Sequence, residues 1–108
     1  MIPTKIKIAG HVYSIKQMSD DHMNMMTEEN ESEYPWNAYI QYTDNLIALR
    51  ESNALTQKEQ SIAHEVLHAI IENSHAYTYI KKDALEDLIK SMENVFYRFL
   101  KDNTDVYK

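Results

Sequence analysis

Alternating apolar and polar residues near the start of the chain predict a β-hairpin. Ile6 and Ile8 lie before Gly10, the only glycine in the sequence, and Val12 and Ile15 lie after it. Glycine adopts the backbone angles of a tight turn at no steric cost. We therefore expect two short strands joined at Gly10.

The same alternation returns between residues 36 and 51, in the segment WNAYIQYTDNLIALRE. Asp44 and Asn45, which favour turns, lie in its middle. The alternating residues on the two sides of this turn are Ala38, Ile40, Tyr42, Ile47 and Leu49. The pattern predicts a second hairpin, and we expect one of its strands to form an edge of the sheet.

Residues 19–33, SDDHMNMMTEENESE, show neither the period of two that is typical of strands nor the 3.6-residue period of helices. The segment is polar and acidic apart from Met23, Met25 and Met26. We expect a mobile acidic loop that connects the hairpins, with a lid over a substrate as the alternative role of its methionines.

The second half of the chain carries two helical patterns. Thr56 and Glu59 have the spacing of a capping box, in which both side chains bind backbone N–H groups at a helix start, so we expect a helix to begin there. Its apolar face consists of Ile62, Ala63, Val66, Leu67, Ile70 and Ile71. A second helix, ending near Asp102, is predicted by a stripe that we expect to be core: Leu85, Leu88, Ile89, Met92, Val95, Phe96, Phe99 and Leu100.

These elements predict an α+β fold, in which a small antiparallel sheet of two hairpins packs on two or three helices. The length of 108 residues suits one domain, so residues 1–108 are expected to form a single unit. With 44% hydrophobic and 26% charged residues, the composition is that of a folded globular protein.

The charge of the chain and its lack of cysteine narrow the range of functions. A net charge of -6 disfavours a nucleic-acid partner, because phosphates are neutralised by clustered Lys and Arg. No stretch approaches the roughly 18 apolar residues that span a membrane, so we expect no membrane partner and a cytoplasmic protein. Without cysteine, a metal site would be built from His and carboxylate side chains.

Residues 64–68, HEVLH, have the spacing of a metal site. Residues four apart on a helix lie one turn above each other, so His64 and His68 can direct their imidazoles at one Zn²⁺ ion. Glu65 lies about 100° round the helix from His64, where it can reach a water on the metal without binding the metal itself. This is the position of a general base for the hydrolysis of an amide bond.

A catalytic zinc needs a third protein ligand, and several residues compete for this role. Glu86 borders the apolar stripe of the second helix and is the preferred candidate, although a capping box from Asp83 to Glu86 would use the same carboxylate. Asp83 and Asp87 are further candidates on that helix. Glu72 shares the histidine face but lies too far along the axis, and His75 lies beyond the first helix.

The HEVLH motif resembles the HExxH motif of the zincin metallopeptidases, and residues 36–103 resemble the small zincins of phages and integrative elements, related to the ImmA/IrrE-type group. The resemblance implies a zincin-like minimal domain in the cytosol of a bacterium or a phage-infected host. It also implies a gluzincin-like site, in which His64, His68 and Glu86 hold zinc and Glu65 is the base.

This sequence departs from the patterns of the metzincins and the gluzincins at several positions. Metzincins continue as HExxHxxGxxH, whereas Ile71 and Ser74 stand at the positions of the glycine and the last histidine. Lys90 stands four residues after Glu86, where gluzincins often carry a side chain that orients a ligating histidine. Three tyrosines are possible hydrogen-bond donors to an oxyanion: Tyr77, Tyr79 and Tyr97. We assign this role to none of them.

The leading hypothesis is a zinc metallopeptidase-like protein that hydrolyses a peptide bond in a segment lying extended beside a strand of the second hairpin. The alternative is a catalytically weak or inactive zincin-fold protein that acts as a phage-type regulatory or partner-binding factor. A third hypothesis is a metal-free helical adaptor that uses its acidic loop. In the first two, the substrate or partner is a protein or peptide.

Overall fold

The computed structural model describes residues 1–108, apart from the side chain of Tyr77. Its elements follow in the order β1 (Lys5–Ile8), β2 (His11–Met18), α1 (Asp20–Glu29), β3 (Ala38–Gln41), β4 (Leu46–Arg50), α2 (Leu55–Glu72), a 3-10 helix (His75–Thr78) and α3 (Lys82–Asn103). The predicted α+β class is confirmed, since a four-stranded sheet packs with three α-helices. Among the described residues, no helix combines the length and the hydropathy that crossing a membrane requires.

Both hairpins form as the sequence predicts. β1 and β2 pair antiparallel across a turn in which Ala9 and Gly10 have positive φ angles of 51° and 83°. β3 and β4 pair antiparallel across a turn in which Asn45 has a φ of 48°. The strand order β1-β2-β4-β3 leaves β3 at one edge of the sheet, as expected for one strand of the second hairpin.

The sheet as a whole is mixed, so the prediction of an antiparallel sheet is wrong for one pair of strands. β2 and β4, which join the two hairpins, are parallel. Parallel neighbours need a long connection that carries the chain back to the same end of the sheet. Here α1 and β3 lie within that connection.

Helix α1 occupies most of residues 19–33, so the prediction of a loop for this segment is wrong. The hydroxyl of Ser19 accepts a hydrogen bond from the backbone N–H of His22 and caps the helix. Asp20 and Asp21 lie in the first turn, where negative charge is favourable. Capping, and not a hydrophobic period, was the local signal for this helix.

The two faces of the sheet are covered by different helices. Met23 of α1 is fully buried and packs with Tyr39 and Ala48 on one face. Ile47 and Leu49, the neighbours of Ala48 along β4, point to the other face and pack in the larger core with α2. Met23 therefore belongs to a small core behind the sheet and not to a lid over α2.

Arg50 anchors α1 to the end of β4. Its buried guanidinium donates hydrogen bonds to the side chains of Asp20 and Asn24, both at 2.9 Å. It also donates to the backbone carbonyl of Trp36 at 3.0 Å. Because a buried charge is tolerated only when it is paired, these contacts hold the 36–37 segment at the start of β3 in place.

Helix α2 begins at Leu55, as expected, but not through the predicted capping box. No side chain caps this helix. The buried carboxylate of Glu59 instead accepts a hydrogen bond of 2.9 Å from the hydroxyl of Tyr97 on α3. The prediction of a box between Thr56 and Glu59 is therefore wrong, because a partner on another helix takes the carboxylate.

The apolar stripe of α3 is buried along one side only. Ile89 is fully buried, and Leu85, Phe96 and Leu100 are partly buried. The remaining members are exposed: Leu88, Met92, Val95 and Phe99. The prediction that the whole stripe is core is wrong, because α3 packs on α2 with one side and leaves the adjacent side in solvent.

We predict that Met23→Ala will lower the free energy of unfolding by about 2 to 5 kcal/mol, because it opens a cavity under α1. Met25, on the same helix, is 45% exposed, so Met25→Ala is the matched control and should change the free energy of unfolding little. Urea unfolding of both variants measures the difference. Equal stability of the two variants would show that α1 does not pack on the sheet.

Candidate metal centre

His64 and His68 lie one turn apart on α2, with their ring centroids 4.9 Å from each other. One ligand atom each from His64, Glu65 and His68 lies within 4.8 Å of the others. Both histidines are half-buried, whereas Glu65 is buried. The two imidazoles are thus close enough to bind a common ion, which is the arrangement that the HEVLH spacing favours.

Glu86 of α3 lies against both imidazoles. Its Oε1 is 3.2 Å from Nε2 of His64, and its Oε2 is 3.0 Å from Nε2 of His68. Atoms bound tetrahedrally to zinc at about 2.0 to 2.1 Å are about 3.3 Å apart, so these donors have close to the required spacing. No side chain caps α3, so the Glu86 carboxylate is not used in a capping box. The structure therefore brings His64, His68 and Glu86 together.

Glu93 is a residue of the site to which the sequence analysis assigns no role, although it is a carboxylate of the same helix as Glu86. Its Oε1 is 2.5 Å from Nδ1 of His64. Since a carboxylate accepts the hydrogen bond, we assign the proton to Nδ1, which leaves the lone pair of a neutral imidazole on Nε2. Glu93 follows Glu86 by seven residues, or two helical turns, and this spacing was the signal that could have identified it. Glu93 orients His64 from a position one turn beyond Lys90.

The tautomer of His64 makes the centre suitable for a cation. Nε2 of His64 faces Oε1 of Glu86 at 3.2 Å, so a cation between these two atoms would be bound by both. Burial lowers the pKa of the His68 imidazole, so this side chain is neutral at pH 7 and has the form that binds metal. Two imidazole nitrogens and one carboxylate are a donor set that zinc prefers.

Glu65 differs from Glu86 and Glu93 in being buried and in lying farther from the imidazoles. Its Oε2 is buried and has no hydrogen-bond partner among the described residues. Its Oε1 lies 3.9 Å from Nε2 of His64, farther than Glu86 does. Burial raises the pKa of Glu65 to about 7, with His64 acting against the rise and the negative charges of Glu86 and Glu93 adding to it. A carboxyl with this pKa can both accept and return a proton near neutral pH.

The other candidate ligands lie farther from the two imidazoles. Among the described residues, the carboxylates within 4.0 Å of a ring nitrogen of His64 or His68 belong to Glu65, Glu86 and Glu93. Three of the alternatives line a cavity beside His68: Glu72, Asp83 and Asp87. The fourth, His75, lies in the 3-10 helix beyond α2.

Two cavities border the site, and Glu86 lines both of them. The first, of about 400 Å³, contains His64 and Glu65 and extends to Asn37 and Ala38 at the start of β3. The second, of about 680 Å³, contains His68 and reaches Tyr42, directly after the end of β3. The edge strand β3 therefore runs from one cavity to the other past the candidate metal centre.

Two tyrosines line the cavities of this site: Tyr34, which is 73% exposed, lines the first cavity, and Tyr42 lines the second. Tyr42 shares the second cavity with His68. Partial burial raises its pKa well above the ordinary range, and Glu72 and Glu65 add to the rise. The phenol therefore stays protonated and can donate a hydrogen bond at any physiological pH.

Of the three tyrosines that the sequence offers as donors to an oxyanion, two have described side chains, and both have other surroundings. Tyr97 is buried, and its hydroxyl donates to Glu59. Tyr79 is 85% exposed, beyond the 3-10 helix. The side chain of Tyr77 lies outside the described residues.

We predict that Glu86→Ala will lower the zinc content of the protein, because it removes one of three converging donors. Glu72→Ala is the matched control, and its zinc content should equal that of the wild type, because Glu72 lies more than 4.0 Å from the ring nitrogens. Elemental analysis of protein purified without a histidine tag measures both. A loss of zinc in Glu72→Ala alone would overturn the assignment of Glu86.

A second prediction concerns the stability of the metal-free protein. Because the folded-state pKa of Glu65 is about 7, above its ordinary value of 4.5, Glu65 binds its proton more tightly when folded. Its contribution to stability is present below pH 4.5 and is lost as the pH rises to about 7, by on the order of 3 kcal/mol. Urea unfolding in EDTA should therefore show that Glu65→Gln gains stability over the wild type across this interval. Glu72→Gln should not, and identical pH profiles for wild type and Glu65→Gln would contradict the prediction.

No family model matches the sequence, and comparisons with curated proteins and with solved structures find no significant similarity. Only the residues of the candidate site and their geometry therefore support a metal centre here.

Proposed function

We propose that this protein is a zinc-dependent metallopeptidase that hydrolyses a peptide bond in a protein or peptide substrate. One observation carries the proposal: Nε2 of His64 and Nε2 of His68 lie 3.2 and 3.0 Å from the two oxygens of Glu86, a residue of a different helix. A buried carboxyl without a partner, that of Glu65, lies beside this cluster. Ligands that converge from two rigid helices next to an available base are the components of metal-assisted amide hydrolysis.

The proposed ligands of zinc are His64, His68 and Glu86. When bound, zinc would polarise the carbonyl of the scissile bond and make water a stronger nucleophile at neutral pH. Glu65 accepts a proton from the attacking water and passes it to the departing amine, a transfer for which a pKa near 7 is well suited. Glu93 keeps the Nδ1 proton of His64 in place and so fixes the orientation of that ring.

Tyr42 is the proposed donor to the oxygen on which negative charge develops. Its protonated phenol lines the cavity that also contains His68 and Glu86. A hydrogen bond aimed at the developing oxyanion lowers the barrier because it is stronger in the transition state than in the bound substrate. Tyr42 thus supplies a function for which the sequence suggested no residue.

The substrate is proposed to bind as an extended segment beside β3. This strand is at the edge of the sheet, so one side of its backbone is not paired with another strand. Adding a strand there forms backbone hydrogen bonds with little dependence on sequence, and side chains of the substrate would then occupy the cavities on both sides of Glu86.

The resemblance of residues 36–103 to the small zincins of phages and integrative elements is the ground on which we propose a cytosolic location, in a bacterium or an infected host. The motif alone also fits a zincin-fold factor that binds a partner without cleaving it. Glu65 distinguishes the two functions, since proton transfer requires its carboxylate whereas the fold and the metal ligands do not.

We predict that Glu65→Gln will bind zinc like the wild type and will hydrolyse peptides at least about 10²-fold more slowly, because the amide cannot accept the proton. The assay is mass spectrometry of a peptide library incubated with the zinc-loaded protein, with the chelated wild type as a blank. Glu72→Gln is the control and should retain activity. A zinc-loaded wild type that cleaves no peptide, or an unchanged rate in Glu65→Gln, would reject the peptidase and favour the partner-binding factor.

A further inference from the structure

Four apolar side chains form an exposed face on α3, which is called the α3 stripe: Leu88, Met92, Val95 and Phe99. Val95 and Phe99 are 73% and 56% exposed. Other residues of α3 pack into the core, among them the fully buried Ile89. A contiguous apolar face of this kind on a small protein is typical of an interaction site.

The spacing of the α3 stripe is that of a helix-helix seam. Its members follow each other at intervals of four, three and four residues, which keeps them on one line along a helix that packs against another helix. The stripe extends over about 17 Å, or three turns. A partner helix of the same length and pattern fits it.

Charged residues on one flank of the α3 stripe indicate the identity of the partner helix. Asp87 and Arg98 are both exposed, and their separation of eleven residues puts them within about 20° of each other around α3. If two copies of α3 pack antiparallel, Asp87 of each chain lies opposite Arg98 of the other. If they pack parallel about a two-fold axis, the two copies of this flank lie on opposite sides of the seam, so Asp87 and Arg98 do not pair between the chains.

We infer that the α3 stripe binds the α3 stripe of a second copy of this chain, antiparallel and with two-fold symmetry. Both ends of the contact then carry an ion pair between Asp87 and Arg98, because a two-fold axis repeats each contact. Ala84 and Ser91 lie on the same flank and are small, which allows the helices to approach to about 8 to 10 Å. Helix α3 of each chain thus supplies both the apolar contacts and the ion pairs of the dimer.

The dimer contact and the candidate metal centre lie on different sides of α3. Glu93, which contacts His64, is two residues from Val95 and therefore about 160° away around the helix. The first cavity contains no residue of the α3 stripe, whereas Asp87, at the edge of the contact, also lines the second cavity. The inference does not depend on the proposed function.

The test is the molar mass of the protein, measured by sedimentation velocity between micromolar and millimolar concentrations. The wild type should rise from the 12.7 kDa of one chain to twice that mass. Val95→Glu should remain a monomer throughout, because it places a charge in the centre of the stripe. Val12→Glu is the matched control: Val12 is 52% exposed on β2, away from α3, and this variant should dimerise like the wild type.

A charge exchange tests the antiparallel arrangement and keeps every apolar residue. Asp87→Arg and Arg98→Asp should each raise the Kd of the dimer about tenfold, since each replaces two attractive pairs with two repulsive ones. The double variant recreates both pairs and should return the Kd to that of the wild type. Circular dichroism confirms that each variant is folded.

Three results would overturn the inference. They are a wild type that remains at 12.7 kDa up to millimolar concentration, a Val95→Glu variant that dimerises as well as Val12→Glu, and a double charge exchange that does not recover the Kd. The last result would exclude the antiparallel pairing even if the stripe itself is the contact.

Discussion

The packing of α2 between the sheet and α3 is the contact on which the rest of the structure depends. The buried face of α2, with Ile62, Ala63 and Val66 in the core, fixes the rotation of this helix about its axis. With that rotation set, His64 and His68 meet the carboxylates of α3. Because neighbouring residues of a helix differ by about 100°, a shift of one position would turn both imidazoles away from Glu86.

The electrostatics of the site follow from that packing. Three carboxylates lie within 4.0 Å of the nitrogens of two histidines, in a region that is partly shielded from water. Burial and the like charges of Glu86 and Glu93 raise the pKa of Glu65, whereas Glu86 and Glu93 each contact an imidazole. A divalent cation would balance this concentration of acceptors, which is why the donor set supports the proposed metal centre.

Local signals failed where a residue had a stronger partner elsewhere in the fold. The capping box predicted for Thr56 and Glu59 does not form, because Glu59 binds Tyr97. The alternative use of Glu86 in a capping box does not occur either, because Glu86 lies between two imidazoles. Helix α1 was missed because Ser19 and its capping, and not a hydrophobic period, mark its start. The stripe of α3 is only partly core, because periodicity shows which residues share a face but not how much of that face another element covers.

Local signals in the sequence suffice to predict the two hairpins, the two long helices and the spacing that places His64 and His68 one turn apart. The sequence also favoured Glu86 among the carboxylates, on the ground that this residue borders the apolar face. Three further features are visible only in the folded molecule: β2 and β4 are parallel, Glu93 contacts His64, and Tyr42 lines the cavity beside His68. Hydrophobic periodicity, helix-capping residues and turn residues act within one element or between neighbours in the chain, so they do not show how distant elements pack. Contacts between elements depend on the angles and distances at which helices and strands pack, and these are set by the whole core.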